Sequence, residues 1–258
     1  MFPATLPIDP VQVLFVLVFC IPLCIIAYWK KVLSWDGTAV AFLVGLIIGV
    51  FGNILWLLLL FILLISSFAA TRYRFELKVA KGVQEGKRGE RRARNVFSHG
   101  LVPSVIALLN FFTPSMPFFP ERHAWLLYVV AISAAGADAI ASELGVLSDR
   151  VYLITSFRKV RAGTNGGVSI LGTFSALVAA AYISILGWGL LTLEFPTMLD
   201  RTYILLIPLT AGFLGCNIDS VIGATLETRG YFGKHATNLV SITLSVLFAW
   251  EVLVWLKL

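Results

Sequence analysis

The chain has 258 residues, 59% of them hydrophobic and only 13% charged, with a net charge of +6 and a mean hydropathy of +0.90. A water-soluble domain carries nearer a quarter charged residues, so this composition excludes one. It predicts a single all-α domain over residues 1–258, a polytopic membrane bundle of about eight transmembrane helices.

The first predicted span is 11–29. It has no basic stretch ahead of it and no small-residue cleavage site before Tyr28-Trp29-Lys30-Lys31, so it is expected to stay as an anchor. Cys20 and Cys24 lie four apart on it and Cys216 stands alone, which fits neither a disulfide framework nor zinc spacing. Asp36-Gly37 precedes a short run at 38–51, and Gly52-Asn53 predicts a tight hairpin into a span at 54–72. A basic loop at about 73–94 follows, with Glu/Lys/Arg spacing suited to a helix extending from that span. Asn95 and His99 open a span at 96–113, and the next, 124–141, runs into Asp138, Ser142 and Glu143. Asp138 is expected in its last turn. A motif loop at about 142–168 carries Arg158, Lys159 and Arg161, then Gly163-Thr164-Asn165-Gly166-Gly167, and leads into a span at 168–190. The span at 202–218 ends in Asn217, Asp219, Ser220 and Glu227, and Asn238 opens the last, 236–256.

Lysine and arginine collect in cytoplasmic loops. Lys30 and Lys31, the loop from Arg72 to Arg94, the loop from Arg150 to Arg161, and Arg229 with Lys234 all fall on one side of an eight-helix arrangement. The opposite loops hold Arg122 and Arg201. Both termini are therefore expected on the non-cytoplasmic side. Topology and attraction to anionic headgroups account for the basic loops as readily as a substrate does, and no nucleic-acid partner is expected.

The polar residues that topology leaves over also fall on the inner side, in five segments distant in sequence. This one-sided clustering predicts a single site. Backbone N–H groups in a glycine turn feeding a helix N-terminus bind anions, and Gly163, Gly166 and Gly167 permit the close approach that phosphate needs. Thr164 adds a hydroxyl, and Lys159 and Arg158 add charge-assisted contacts. A capped helix end with small residues for packing is the alternative. Asp138 and Asp219 are costly in lipid when ionised and alone. Mg²⁺ is a natural partner, since it takes one or two carboxylates plus substrate phosphates; a structural pairing with a basic side chain is the other outcome. His99 is either a base or a polar cap.

The segments G-A-D-A-I-A-S-E-L-G, I-T-S-F-R-K-V-R-A-G-T-N-G-G-V-S-I-L-G-T and N-I-D-S-V-I-G-A-T-L-E together resemble the membrane family of phytyl-phosphate kinase and transmembrane protein 19. The resemblance runs over nearly the whole chain. More distantly, the acidic helix end followed by lysine and a glycine turn is similar to polyprenol (dolichol) kinases and CDP-diacylglycerol synthases. The resemblance implies phosphoryl transfer from a nucleoside triphosphate, CTP, to an isoprenoid monophosphate such as phytyl or geranylgeranyl phosphate. It implies that Asp138, Lys159 and Asp219 are catalytic, and that Asp138, Asp219 and Glu143 hold Mg²⁺. Arg158, Arg161, Gly163, Thr164, Asn165, Gly166, Gly167 and Asn95 are then the nucleotide- and phosphate-binding set. Arg161 or the basic residues near Arg91 and Arg94 would take the acceptor phosphate. His99 stands where an Asn-Gly pair is expected, and Arg158 where relatives often carry a neutral residue.

On this reading the protein sits in a cell or organelle membrane, with its active site facing the cytoplasm or stroma and homo-oligomers open. A CTP-dependent polyprenol kinase or a cytidylyltransferase would use the same donor site. A transporter of an anionic metabolite is the reading from another class. Transporters place polar groups near the bilayer midplane, whereas here the centres of the predicted spans are nearly free of charge.

Overall fold

The computed structural model describes residues 8–113, 119–198 and 201–257. Within them, eight helical spans are long and apolar enough to cross a membrane. Their α-helical parts are α1 (Pro10–Trp29), α2 (Trp35–Ile47), α3 (Ile54–Arg72), α5 (Ala93–Phe112), α6 (Glu121–Gly145), α7 (Ile170–Glu194), α8 (Tyr203–Ile222) and α9 (Lys234–Trp255), with α4 (Phe75–Lys81) a short helix outside the set. Five-residue π-helical turns, Ile48–Gly52 and Gly223–Glu227, extend α2 and α8. The predicted hairpin forms at Asn53, whose side chain accepts from Leu55 N at 2.8 Å and starts α3. The expectations for residues 1–7, 114–118, 199–200 and 258 lie outside the described residues.

Helix α6 is the axis of the bundle and is enclosed almost throughout, with α3, α5, α7, α8 and α9 packed around it. Lipid is as apolar as leucine, so helices here associate through close packing rather than through escape from water. The sequence supplies small residues for that purpose. A Cβ at Gly136 of α6 would collide with Ile183 of α7, and one at Gly212 of α8 with Ser133 of α6. Where α6 ends and α7 begins, Gly145 and Gly172 meet backbone to backbone. At the far end, the Glu194 carboxylate accepts from Asn53 Nδ2 at 2.8 Å and Trp125 Nε1 at 2.6 Å, tying together the ends of α3, α6 and α7.

Two expectations change. The basic loop does not continue α3: Tyr73 is extended and Arg74 takes φ +50° before α4 begins. The reversal folds Lys78 back beneath α3, where its Nζ donates to the carbonyls of Ala70 at 2.7 Å and Thr71 at 3.0 Å. Those are carbonyls that a helix end otherwise leaves open. Helix α6 also continues past residue 141 to Gly145, so Asp138 sits two turns from its end rather than in the last turn. The extension stands because the Lys78 ammonium neutralises Glu143 inside it, at 2.6 Å.

A three-stranded antiparallel sheet of β1 (Val151–Leu153), β2 (Lys159–Val160) and β3 (Gly167–Val168), in the order β2-β1-β3, sits in the motif loop of the otherwise helical fold. The connection after α1 joins the basic loop through a bridge of Leu33 with Arg91. Contacts of this kind gather the four basic connections at one end of the bundle.

Candidate functional site

At that end lies a polar cavity of about 590 Å³, walled by α4 and its following loop, the last turns of α6, the motif loop, and the α8–α9 junction. Asp138 of α6 and Asp219 of α8 both line it. Asp138 Oδ1 lies 3.5 Å from Ser142 Oγ, and its Oδ2 lies 3.6 Å from His99 Nε2. Asp219 Oδ2 accepts from Ser241 Oγ at 3.2 Å. With its amide nitrogen turned toward acceptors, Asn238 donates to the same Asp219 oxygen at 3.3 Å and to the Lys234 carbonyl at 2.7 Å. Asn238 also lies 3.4 Å from His99 Nε2, while His99 Nδ1 meets the Asn95 carbonyl at 2.9 Å. His99 and Asn238 thus bridge the two carboxylates from behind, leaving the cavity face of each aspartate to a ligand.

The glycine turn closes one wall. Gly163 and Gly166 take φ of +83° and +71°, which a side chain resists. A Cβ on Gly166 would also strike Ala224, so the turn seats directly on the π-helical turn after α8. That π turn is itself held by Glu227, which accepts from Asn165 Nδ2 at 2.9 Å and Thr237 Oγ1 at 3.2 Å. Single π turns recur at functional sites. Ser169 caps α7 by accepting from Gly172 N at 3.1 Å, so the N-terminus of α7 points its open N–H groups toward this end of the bundle.

Of the residues singled out from sequence, the structure brings Asp138, Glu143, Arg161, Gly163, Thr164, Asn165, Gly166, Gly167 and Asp219 to the cavity. It does not bring Lys159, Arg158 or Asn95 there. Strand residues alternate sides. On β2, Val160 turns toward the turn's underside, 3.5 Å from where a Gly167 Cβ would sit, and Lys159 faces out and is exposed. Arg158 is likewise exposed. Asn95 lies behind His99 and accepts from Arg91 Nη1 at 3.1 Å. Glu143 lines the cavity, but its Oε2 belongs to Lys78, so the expected metal ligand is half of a buried ion pair.

The cations at the cavity are instead Arg161, Lys81 and Lys234. Lys81 donates to Asp149 Oδ1 at 2.8 Å and to the Leu147 carbonyl at 3.1 Å. This hydrogen-bonded ammonium holds the exposed Asp149 carboxyl below the usual aspartate range. Lys234 lies 3.5 Å from Glu85. Read as sequence, Lys78, Lys81 and Lys234 are topology markers; only the spacing of Lys234 and Asn238, one turn apart at a helix start, hints that they share a face.

The residues present fit a divalent ion. Asp138 and Asp219 line the same cavity, and neither forms an ion pair with lysine or arginine among the described residues. No group of three or more potential metal ligands occurs among them. Two carboxylates leave the remaining positions to substrate oxygens and water, the donor set Mg²⁺ prefers.

Residues 18–245 match the family described as integral membrane protein DUF92. An uncharacterised membrane protein of Methanocaldococcus jannaschii is 29% identical over 227 residues, covering 88% of this chain and 87% of the relative. Another, from Synechocystis sp., is 32% identical over 205 residues, covering 78% and 74%. Protein VTE6, chloroplastic, of Arabidopsis thaliana is 28% identical over 222 residues, covering 84% and 64%. No solved structure matches the chain significantly. The matched stretch runs from within α1 into α9 and contains both aspartates, the glycine turn and Lys234, and the chain belongs to the DUF92 family of integral membrane proteins.

Proposed function

We propose that the protein is a membrane phosphotransferase that moves the γ-phosphoryl group of a nucleoside triphosphate, CTP, onto an isoprenoid monophosphate. One observation carries this reading: two aspartates from different spans, without a lysine or arginine ion-pair partner among the described residues, line one polar cavity with a glycine turn and three cations. The motif resemblance to the phytyl-phosphate kinase family supports the choice of acceptor class. The wider similarity to VTE6 supports the same direction. We place the site on the cytoplasmic or stromal side because the basic connections surround it.

Phosphoryl transfer asks a protein mainly for positioning and charge neutralisation. Asp138 and Asp219 would hold Mg²⁺, which when bound neutralises charge on the triphosphate. The Gly163–Gly167 backbone positions the β- and γ-phosphates, and Arg161 and Lys234 stabilise the charge that spreads over the transferring group. The bond from the γ-phosphorus to the β,γ-bridging oxygen breaks, a new bond forms to an acceptor phosphate oxygen, and the nucleoside diphosphate departs with the electron pair. An acceptor phosphate is largely ionised at neutral pH, so no strong general base is needed.

Purified protein in detergent, given labelled CTP and a panel of prenol, prenyl phosphate and phosphatidic acid with and without Mg²⁺, tests the assignment. Transfer to prenyl phosphate alone, reduced at least about a hundredfold in folded Asp138→Asn and Asp219→Asn proteins, is the expected result. Transfer to prenol or phosphatidic acid instead would reassign the enzyme to an alcohol kinase or a cytidylyltransferase. Full activity in both aspartate variants would remove the site.

A further inference from the structure

A second cavity backs onto the first. It lies between α1, α2, α3 and α5, has a volume of about 110 Å³, and is lined almost wholly by apolar groups such as Phe19, Val44, Leu57 and Leu63. Its rim residues Leu23, Phe61 and Leu64 are half-buried on helices that face the bilayer. Its inner end is polar: Arg91, Asn95 and His99 line it there.

Arg91 does not behave as a topology marker. It is 93% buried, and although Nη1 donates to Asn95, Nε has no hydrogen-bond partner among the described residues. A buried guanidinium with a free donor is expensive unless something anionic completes it. His99 stands between the two cavities, since it lines this one and lies 3.6 Å from Asp138, which lines the other.

We propose that this cavity is the seat of an anionic lipid, with its apolar chain between α1, α2 and α3 and its phosphate head on Arg91, at the inner end where His99 adjoins Asp138 of the polar cavity. The identification of that lipid as the phosphoryl acceptor rests on the function proposed above. An apolar cavity of about 150 Å³ holds a benzene-sized molecule, so this one grips the first few carbons of a chain and leaves the remainder to the bilayer. The arrangement also accounts for His99, which sits where lipid head and metal-facing carboxylate come closest.

The test is binding measured apart from turnover. Geranylgeranyl phosphate is titrated into the detergent-solubilised protein without nucleotide or metal, beside geranylgeraniol and inorganic phosphate. Two variants are compared: Arg91→Gln, which removes the charged donor, and Leu64→Trp, which fills the rim and keeps the site readable should Arg91→Gln not fold. Folded Arg91→Gln should weaken geranylgeranyl phosphate binding about tenfold or more, the worth of one charged hydrogen bond, and Leu64→Trp should weaken it by excluding the chain. Inorganic phosphate should compete poorly. Unchanged affinity in the folded variants overturns the site, and so does inorganic phosphate competing as well as the lipid. If binding behaves as expected while no triphosphate supports transfer, the lipid site stands and the kinase reading falls.

Discussion

Replacing Lys78 by methionine removes a buried ammonium and leaves its partner stranded. Lys78 is fully buried and makes three short contacts: Glu143 Oε2 at 2.6 Å, and the Ala70 and Thr71 carbonyls at 2.7 and 3.0 Å. Glu143, 93% buried, then loses its ion-pair partner among the described residues. Removing one member of a buried pair costs about 3–5 kcal/mol, a large part of the roughly 5–15 kcal/mol that holds a domain together. At roughly 2–4 °C per kcal/mol, the unfolding temperature in detergent should fall by roughly 6–20 °C, followed by tryptophan fluorescence. The double variant Lys78→Met/Glu143→Leu removes both charges and should recover much of that loss, because an apolar pair of similar volume often equals a buried ion pair. A single variant within about 2 °C of wild type, or a double variant no better than the single, would refute the claim that this pair anchors α4 to α6.

Lys159→Ala should leave transfer within about twofold of wild type, because its side chain lies outside the cavity, where its charge is screened, whereas Arg161→Ala, at the cavity, should lower it about tenfold or more by removing a charged contact to phosphate; equal losses in the CTP assay would contradict the placement of the two side chains. Gly166→Ala places a side chain at φ +71° against Ala224 and should destabilise by at least about 1 kcal/mol, read as a fall in unfolding temperature that Gly189→Ala, inside α7 with open space around it, does not share. The Lys81–Asp149 pair predicts a pH signature. Because the folded carboxyl of Asp149 is held below its unfolded value, its contribution is fully present above about pH 4 and fades as pH falls through the folded value. The difference in unfolding temperature between wild type and Asp149→Asn should therefore shrink toward zero on acidification, and a difference that stays constant would exclude the pair as its source.

The sequence by itself determined the spans and the end of the bundle where the polar residues gather. Each span reads from its own residues because in lipid every backbone group must be satisfied within the helix, so length and apolar content suffice. Asn53 at the hairpin, Asp138 and Asp219, and the Gly163–Gly167 turn are legible for the same local reason. Which charges are free and which are spent was decided only by the tertiary structure. Glu143 and Asp138 look alike in sequence, yet Glu143 is held by a lysine 65 positions away and Asp138 faces the cavity. Lys159 stands next to the motif and points outward on β2, while Lys234, far along the chain, reaches the site. Such pairings depend on how helices rotate against one another and how a short sheet presents alternate residues, and no local pattern records either.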